Sequence, residues 1–356
     1  MENTTQTTPL ADRMLKVLAG AITRVRQDDV SDDDLRTLID TTTRDLRAEA
    51  STQARPDTLL AVDALACELR ADLDKRRELA RRNGGVAGVR IGFGHVDETI
   101  NGAEPGKLLM LAAAPGTGKT TFCLQAAANV AQSGHVALYI SLENDALDLA
   151  RKTVCRLGDI SYSAALKGKV NPDAWNHAVT RLDTLGGRLI VCAPRDKMPD
   201  LDELVEGVIE RTGQRPAVIC VDYLQAYLKR MGNTPGDTAD VRERLDRFTP
   251  ALRALGERYD AAVLAINSQN RAGQQAGGMS SLKESGDLEY GADVVMTLNR
   301  WSGRKEGDAP PVVVPSGHTL LELKVEKNRQ GLTGAGAQLL MLKGDRCAVT
   351  EVERHG

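Results

Sequence analysis

Apolar positions recur at helical spacing from the start of the chain, through Leu10, Met14, Leu15, Val17, Leu18, Ile22 and Val25. Ser31, with Asp34 three residues on and Leu35, Leu38 and Ile39 behind it, predicts a second, capped helix. Pro56 opens a third, which carries Leu59, Leu60, Val62, Leu65, Leu69, Leu73 and Leu79 and stops at Gly84 and Gly85. Beyond the glycines the period changes. Strand-like apolar runs lie near 108–113, 135–142, 188–193, 217–221, 261–267, 293–298 and 319–326. Helical stretches at 119–132, 145–157, 172–185, 200–211 and 240–258 separate several of them. Runs too apolar to keep a wet face, spaced by helices, predict an α/β fold: a mostly parallel sheet covered on both sides. The pattern divides the chain into a helical N-terminal region (1–55), a third helical segment (56–85) and an α/β domain (86–356). Loops are expected at 229–239 and 271–281, which are polar and contain glycine.

Composition narrows this picture only slightly. A chain of 356 residues can hold one large domain and a smaller one, each with a buried core. A formal charge of -3 offers no global attraction to nucleic acid or anionic lipid, so any such contact needs a local basic patch. The one basic cluster in the helical region, "KRRELARRN", reads more readily as a solvated helix end favoured by the macrodipole than as a nucleic-acid contact. Six scattered cysteines (67, 123, 155, 192, 220, 347) lack a Cys-x-x-Cys spacing and read as small core residues in a reducing compartment. No apolar run approaches a membrane span and "MENTTQTTPLADR" is no signal peptide, so a cytoplasmic protein is expected, with no membrane partner.

Three stretches carry chemistry. "LLMLAAAPGTGKTTFCLQ", residues 108 to 125, runs from strand through glycine turn to helix. It fits a phosphate loop at Gly118, Lys119 and Thr120, with Ala113 where the general pattern has its first glycine. Backbone N–H groups of 115–120 can wrap a β-phosphate ahead of the positive helix end. Lys119 would neutralise β- and γ-phosphate charge, and the Thr120 hydroxyl would ligate Mg²⁺. The strand in "HVALYISLEND" delivers Glu143 to the edge where such sheets bind ligands. A carboxylate there can polarise an attacking water, although alone it would read as a surface residue opening the next helix. "AVICVDYLQ" ends a buried run on Asp222, a carboxylate that needs a partner, and Mg²⁺ is the obvious one.

Taken together with the stretches around them, these residues give a chain that resembles DnaB-type replicative helicases. "GFGHVDETINGAEPGKLLMLAAAPGTGKTTFCLQAAANVA", "YISLEN", "VDYLQ", "SLKESGDLEYGADVVMTLNR" and "EKNRQG" follow that family's order and spacing over about residues 86 to 345. The family commonly has alanine at the position of Ala113. The resemblance implies a RecA-like P-loop ATPase core, acting in DNA replication as a ring, usually a hexamer, around single-stranded DNA. It places ATP at Pro115, Gly116, Thr117, Gly118, Lys119, Thr120 and Thr121, a catalytic glutamate at Glu143, and Mg²⁺ near Thr120 and Asp222. Lys327 and Arg329 fit the Lys-x-Arg pair that reaches the γ-phosphate held by a neighbouring subunit. Lys283, Glu284 and Gly286 of "KESG" fit the loop that contacts the DNA backbone.

Two departures stand out. Where the family leads from strand into Ser-Gln-x-Asn-Arg, this chain reads "NSQNR", so the γ-phosphate sensor falls on Ser268 or Gln269 depending on the alignment. The first 85 residues match no replicative-helicase N-terminal domain, though the helix within 57–82 suits the linker that docks on the next subunit. The expected activity is ATP-driven helicase or translocase action on single-stranded DNA, in a plasmid, phage or other mobile-element setting. The alternative is a RecA-like ATPase that assembles or loads partners on DNA without unwinding. An inactive scaffold is disfavoured because every catalytic residue type is present.

Overall fold

A computed structural model describes residues 65–194, 200–224, 241–268, 291–303, 312–329, 331 and 337–352, with Leu18 and Thr42. The expected helices at 10–25 and 31–39, the loops at 229–239 and 271–281, Gln269, and the DNA-loop residues Lys283, Glu284 and Gly286 lie outside them. The chain divides into two compact units, Met1–Asp74 and Lys75–Gly356. No described helix is long and apolar enough to cross a membrane.

The described part begins with α1 (Ala66–Arg82), the end of the third expected helix, whose last turn carries Arg81 and Arg82 as the macrodipole favours. Next come α2 (Gly94–Ile100), β1 (Leu108–Ala113), α3 (Lys119–Gln132), β2 (Val136–Ser141) and α4 (Ala146–Gly158). A second run follows with α5 (Tyr162–Leu166), α6 (Pro172–Asp183), β3 (Leu189–Cys192), α7 (Leu201–Thr212) and β4 (Pro216–Asp222). The rest is α8 (Val241–Tyr259), β5 (Ala262–Ser268), β6 (Val294–Arg300), β7 (His318–Asn328), β8 (Gln338–Lys343) and β9 (Ala348–Glu351).

Among the described residues these strands form one nine-stranded sheet in the order β3-β2-β4-β5-β1-β6-β7-β8-β9. Neighbours from β3 to β6 run parallel, and β6 to β9 pair antiparallel. β1 is the fifth of the nine strands, between β5 and β6, with all six residues buried. Its odd residues, Leu109, Leu111 and Ala113, enter one core with Phe122, Ala126 and Val130 of α3. Leu108, Met110 and Ala112 enter the opposite core with Val205 of α7 and Leu252 and Leu255 of α8. Burial on both faces explains why the strand reads as an unbroken apolar run rather than an alternation.

Polar side chains tie outlying segments to this sheet. Gln125 of α3 donates its amide N–H to the Val349 carbonyl and accepts from the Val349 N–H, both at 2.8 Å, pairing with β9 as a neighbouring strand would. Glu351 accepts from the N–H groups of Gly94 and His95 at the start of α2. Asp97, fully buried, accepts from the N–H groups of Ile91 and Gly92. Of the cysteines, Cys123, Cys155, Cys220 and Cys347 are free and buried and Cys192 partly so, as the core reading expected.

Candidate active site

The parallel strands present their C-terminal ends along one edge, and there the loop that follows β1 turns into α3. Ala113 is the last residue of β1, wedged between Ser268 of β5 and Leu298 of β6 and wholly buried. It sits in the strand, so it has no need of glycine's conformational freedom. The turn itself does: Gly116 (φ 77°) and Gly118 (φ 87°) both adopt left-handed backbone. A Cβ on Gly118 would also lie 3.0 Å from Leu342 of β8. Thr117 is buried, its hydroxyl donating to the Ala114 carbonyl at 2.7 Å. Pro115 and Gly116 are exposed, while Gly118, Lys119, Thr120 and Thr121 are half-buried at the start of α3. Four unpaired N–H groups of a helix's first turn, opened by Gly118, are a ready site for phosphate.

Asp222 ends β4 and lies 0% exposed. Its Oδ2 accepts from the Tyr139 hydroxyl at 2.6 Å, and its carbonyl from the Leu142 N–H at 2.8 Å. Oδ1, equally buried, has no partner of hydrogen-bonding geometry. Burial pushes the carboxyl above its ordinary value and Glu143 adds to the rise, while the Tyr139 and Thr120 hydroxyls and the Lys119 ammonium favour the carboxylate. An orphaned carboxylate oxygen beside a threonine hydroxyl is a hard donor set, suited to Mg²⁺. No cluster of three or more His, Cys, Asp or Glu side chains occurs among the described residues, so the fit is to an ion brought with phosphate rather than to a protein cage.

Glu143 is exposed, two residues past β2. Its turn is rigid: the Ser141 hydroxyl accepts from the Asn144 N–H at 3.0 Å and donates to the Asn144 carbonyl at 2.8 Å. Lys152 of α4 holds the Asn144 amide oxygen at 2.9 Å. Tyr223 is pushed up by burial and by the nearby Glu143 and Asp222 charges, and the Lys119 ammonium lies 5.9 Å from its ring centroid. One edge thus gathers a cation, two carboxylates of different burial and a helix start. That set can hold a nucleoside triphosphate with its metal and polarise a water beside it. Ser268, the other sensor candidate with Gln269, ends β5 directly beside Ala113.

Lys327 and Arg329 do not join this group. Lys327, at the end of β7, pairs with Val295, and the Arg329 N–H donates to the Asp293 carbonyl at 2.9 Å. Both therefore lie where the parallel strands begin, with about 17 Å of strand between them and the loop after β1. Buried Asp293 organises this far edge. Its carboxylate accepts from the Leu108 N–H at 3.1 Å and pairs with Arg253 at 3.2 Å and Arg329 at 3.7 Å.

Two residues near the loop lie within stretches that carry the resemblance, but the sequence assigned them no role. Arg300 ends β6 and its guanidinium donates to the Gly116 carbonyl at 3.3 Å. Tyr139 looks like any apolar strand residue until β4 is placed beside it. The adjacency of β6 to β1 and of β2 to β4 is a property of sheet order, which no motif in the sequence spells out.

The DnaB-like helicase C-terminal domain matches residues 88–343, most of the chain. The chain belongs to that family. Over 278 residues it is 27% identical to the replicative DNA helicase DnaB of Geobacillus stearothermophilus, covering 76% of this chain and 58% of that protein. It is 26% identical over 333 residues to DnaB of Leifsonia xyli, covering 90% and 68%. A probable plasmid replicative DNA helicase of Chlamydia psittaci is 25% identical, with 60% and 47% covered. The chain thus spans roughly half to two thirds of these relatives. Among solved structures the fold is similar to a DnaB-like replicative helicase whose interactions with primase are described, at TM-score 0.69, 16% identity and coverage of 97% of this chain and 76% of that one. It is also similar to a solved ATPase domain, at TM-score 0.65, 20% identity and coverage of 80% and 98%. The RecA-like α/β core is thereby established.

Proposed function

We propose that this chain is an ATP-driven helicase motor that moves on single-stranded DNA as a closed ring of identical subunits, six in the family's usual form. The observation that carries the reading is the separation of charged groups across the sheet. Lys119, Thr120, Glu143 and Asp222 share one edge, and Lys327 and Arg329 share the opposite one. A triphosphate held by the first set cannot be reached by the second set of the same subunit. In a head-to-tail ring, each far edge faces the next subunit's phosphate loop, and the two half-sites complete each other.

Within that site Lys119 neutralises the β- and γ-phosphates, and the backbone N–H groups of the turn from Pro115 to Thr120, proline excepted, hold the β-phosphate. A Mg²⁺ brought with the nucleotide would supply charge neutralisation on the phosphates. Thr120 and Asp222 hold its side of the site. Glu143 on its rigid turn orients the water, and Arg329 from the neighbour meets the transferred charge. Lys283, Glu284 and Gly286 track the DNA backbone, which suits sequence-independent movement. The similarity to a plasmid helicase supports a replication or mobile-element setting. ATP hydrolysis by the full chain, with and without a single-stranded oligonucleotide, tests the reading. Hydrolysis that rises severalfold with DNA is expected; a rate indifferent to DNA would overturn it.

A further inference from the structure

Tyr139 is a polar residue where the strand pattern asks for an apolar one. It is 0% exposed in a strand whose six residues are all buried. A buried phenol must place its O–H on an acceptor, and here the acceptor is Asp222 Oδ2 at 2.6 Å. The register explains the reach. Tyr139 pairs with Cys220 and Ser141 with Asp222, so Tyr139 and Asp222 are diagonal neighbours on one face of adjacent strands. Such a diagonal is about 7–8 Å, a span that a tyrosine side chain crosses and a shorter residue does not. The face is the one covered by α3, where Phe122 and Cys123 pack in the same core as Tyr139 and Cys220. Donation to Oδ2 restrains the carboxylate's rotation and leaves Oδ1 buried and without a hydrogen bond of good geometry.

We propose that Tyr139 is a positioning residue for the nucleotide's Mg²⁺: its hydroxyl holds the Asp222 carboxylate so that Oδ1 is the oxygen offered to the ion. This rests on the reading of Asp222 as the metal-associated carboxylate. A free carboxylate would rotate between several orientations and present either oxygen. The tyrosine removes that freedom before the nucleotide arrives, as outer hydrogen-bond partners do for metal ligands in general.

The test measures binding rather than turnover. Dissociation constants of a fluorescently labelled ADP are taken for the full chain in excess EDTA and in Mg²⁺. The ratio of the two is the gain that the ion supplies. Asp222→Asn should abolish most of this gain. Tyr139→Phe should leave the EDTA value unchanged and shrink the gain by about tenfold, the lower end of what loss of such a partner costs. The double variant should lose no more than Asp222→Asn alone, because the tyrosine acts through the aspartate. Melting curves run alongside, and titration at low temperature keeps a destabilised variant folded. A purely structural tyrosine would lower the melting temperature and leave the gain intact in Tyr139→Phe while Asp222→Asn loses it; that result overturns the proposal alone. A gain unaffected by Asp222→Asn would overturn both the proposal and the reading beneath it.

Discussion

Lys119 and Glu143 stand on the same sheet edge but in different surroundings, and their proposed tasks separate by substitution. Lys119→Ala removes the charge that meets the phosphates and should weaken ATP binding by about tenfold or more. Glu143→Gln should keep ATP affinity and lose about two to four orders of magnitude in hydrolysis. Equal loss of affinity in both variants, measured by equilibrium binding, would contradict the division of roles. Asp97 makes a different prediction, about stability. Burial lifts its carboxyl from 3.8 to about 6, against the N–H groups of Ile91 and Gly92 that favour the charge. The folded chain therefore keeps a proton that the unfolded chain has already released between about pH 4 and 6. Its contribution to stability is present at the acid end of that window and is lost as pH rises through it. The loss amounts to about 3 kcal/mol at most. Denaturant unfolding of the parent and of Asp97→Asn at about pH 4.5 and about pH 7, on either side of most of the window, should show the steeper decline in the parent. At this scale the sequence was most legible where function is local in the chain, as in the phosphate loop from Pro115 to Thr121. Tyr139 and Arg300 act on groups 83 and 184 residues away, so the stretches they sit in, "YISLEN" and "VVMTLNR", say nothing of what they touch.

The inner strands of the parallel core, β1, β2, β4 and β5, were legible because each has six or seven residues that are almost all buried. β1 and α3 fall at 108–113 and 119–132, as the periodicity predicts. β7 extends a residue or two beyond the run at 319–326. Shorter elements were not: α2 has seven residues and α5 five, too few to repeat a helical period. β8 and β9 also went unread, since the four apolar residues of "QLLMLK" and the four-residue "AVTE" are slight signals outside a βα alternation. Their placement depends on tertiary partners, and Gln125 is the clearest. Replacing it with Leu leaves the Val349 N–H and carbonyl buried without partners. Gln125→Leu should therefore cost about 2 kcal/mol or more in urea unfolding. A change within about 0.5 kcal/mol, the range of an ordinary surface substitution, would mean that Gln125 does not help to hold β9.

At the scale of the whole molecule the sheet separates two half-sites, and that separation makes assembly testable. Arg329→Ala subunits should fold and bind ATP, since their own Lys119 edge is untouched. Mixed with parent subunits, they should depress activity more steeply than their fraction in the mixture. A loss strictly proportional to that fraction would argue against a shared site. The DNA path can be probed without unwinding. Lys283→Ala should weaken single-stranded binding for all sequences alike and lower the slope of log affinity against log salt by about 0.7 for each phosphate no longer neutralised. An unchanged slope would remove Lys283 from the path. The central claim is that hydrolysis at the Lys119 edge drives strand separation, and a strand-displacement assay on a forked duplex measures it directly. Parent protein should release the labelled strand with ATP, and should bind the fork without releasing it in a non-hydrolysable analogue or in the Glu143→Gln variant. Vigorous DNA-stimulated hydrolysis with no strand release would contradict the claim and leave an ATPase that assembles on DNA without unwinding it.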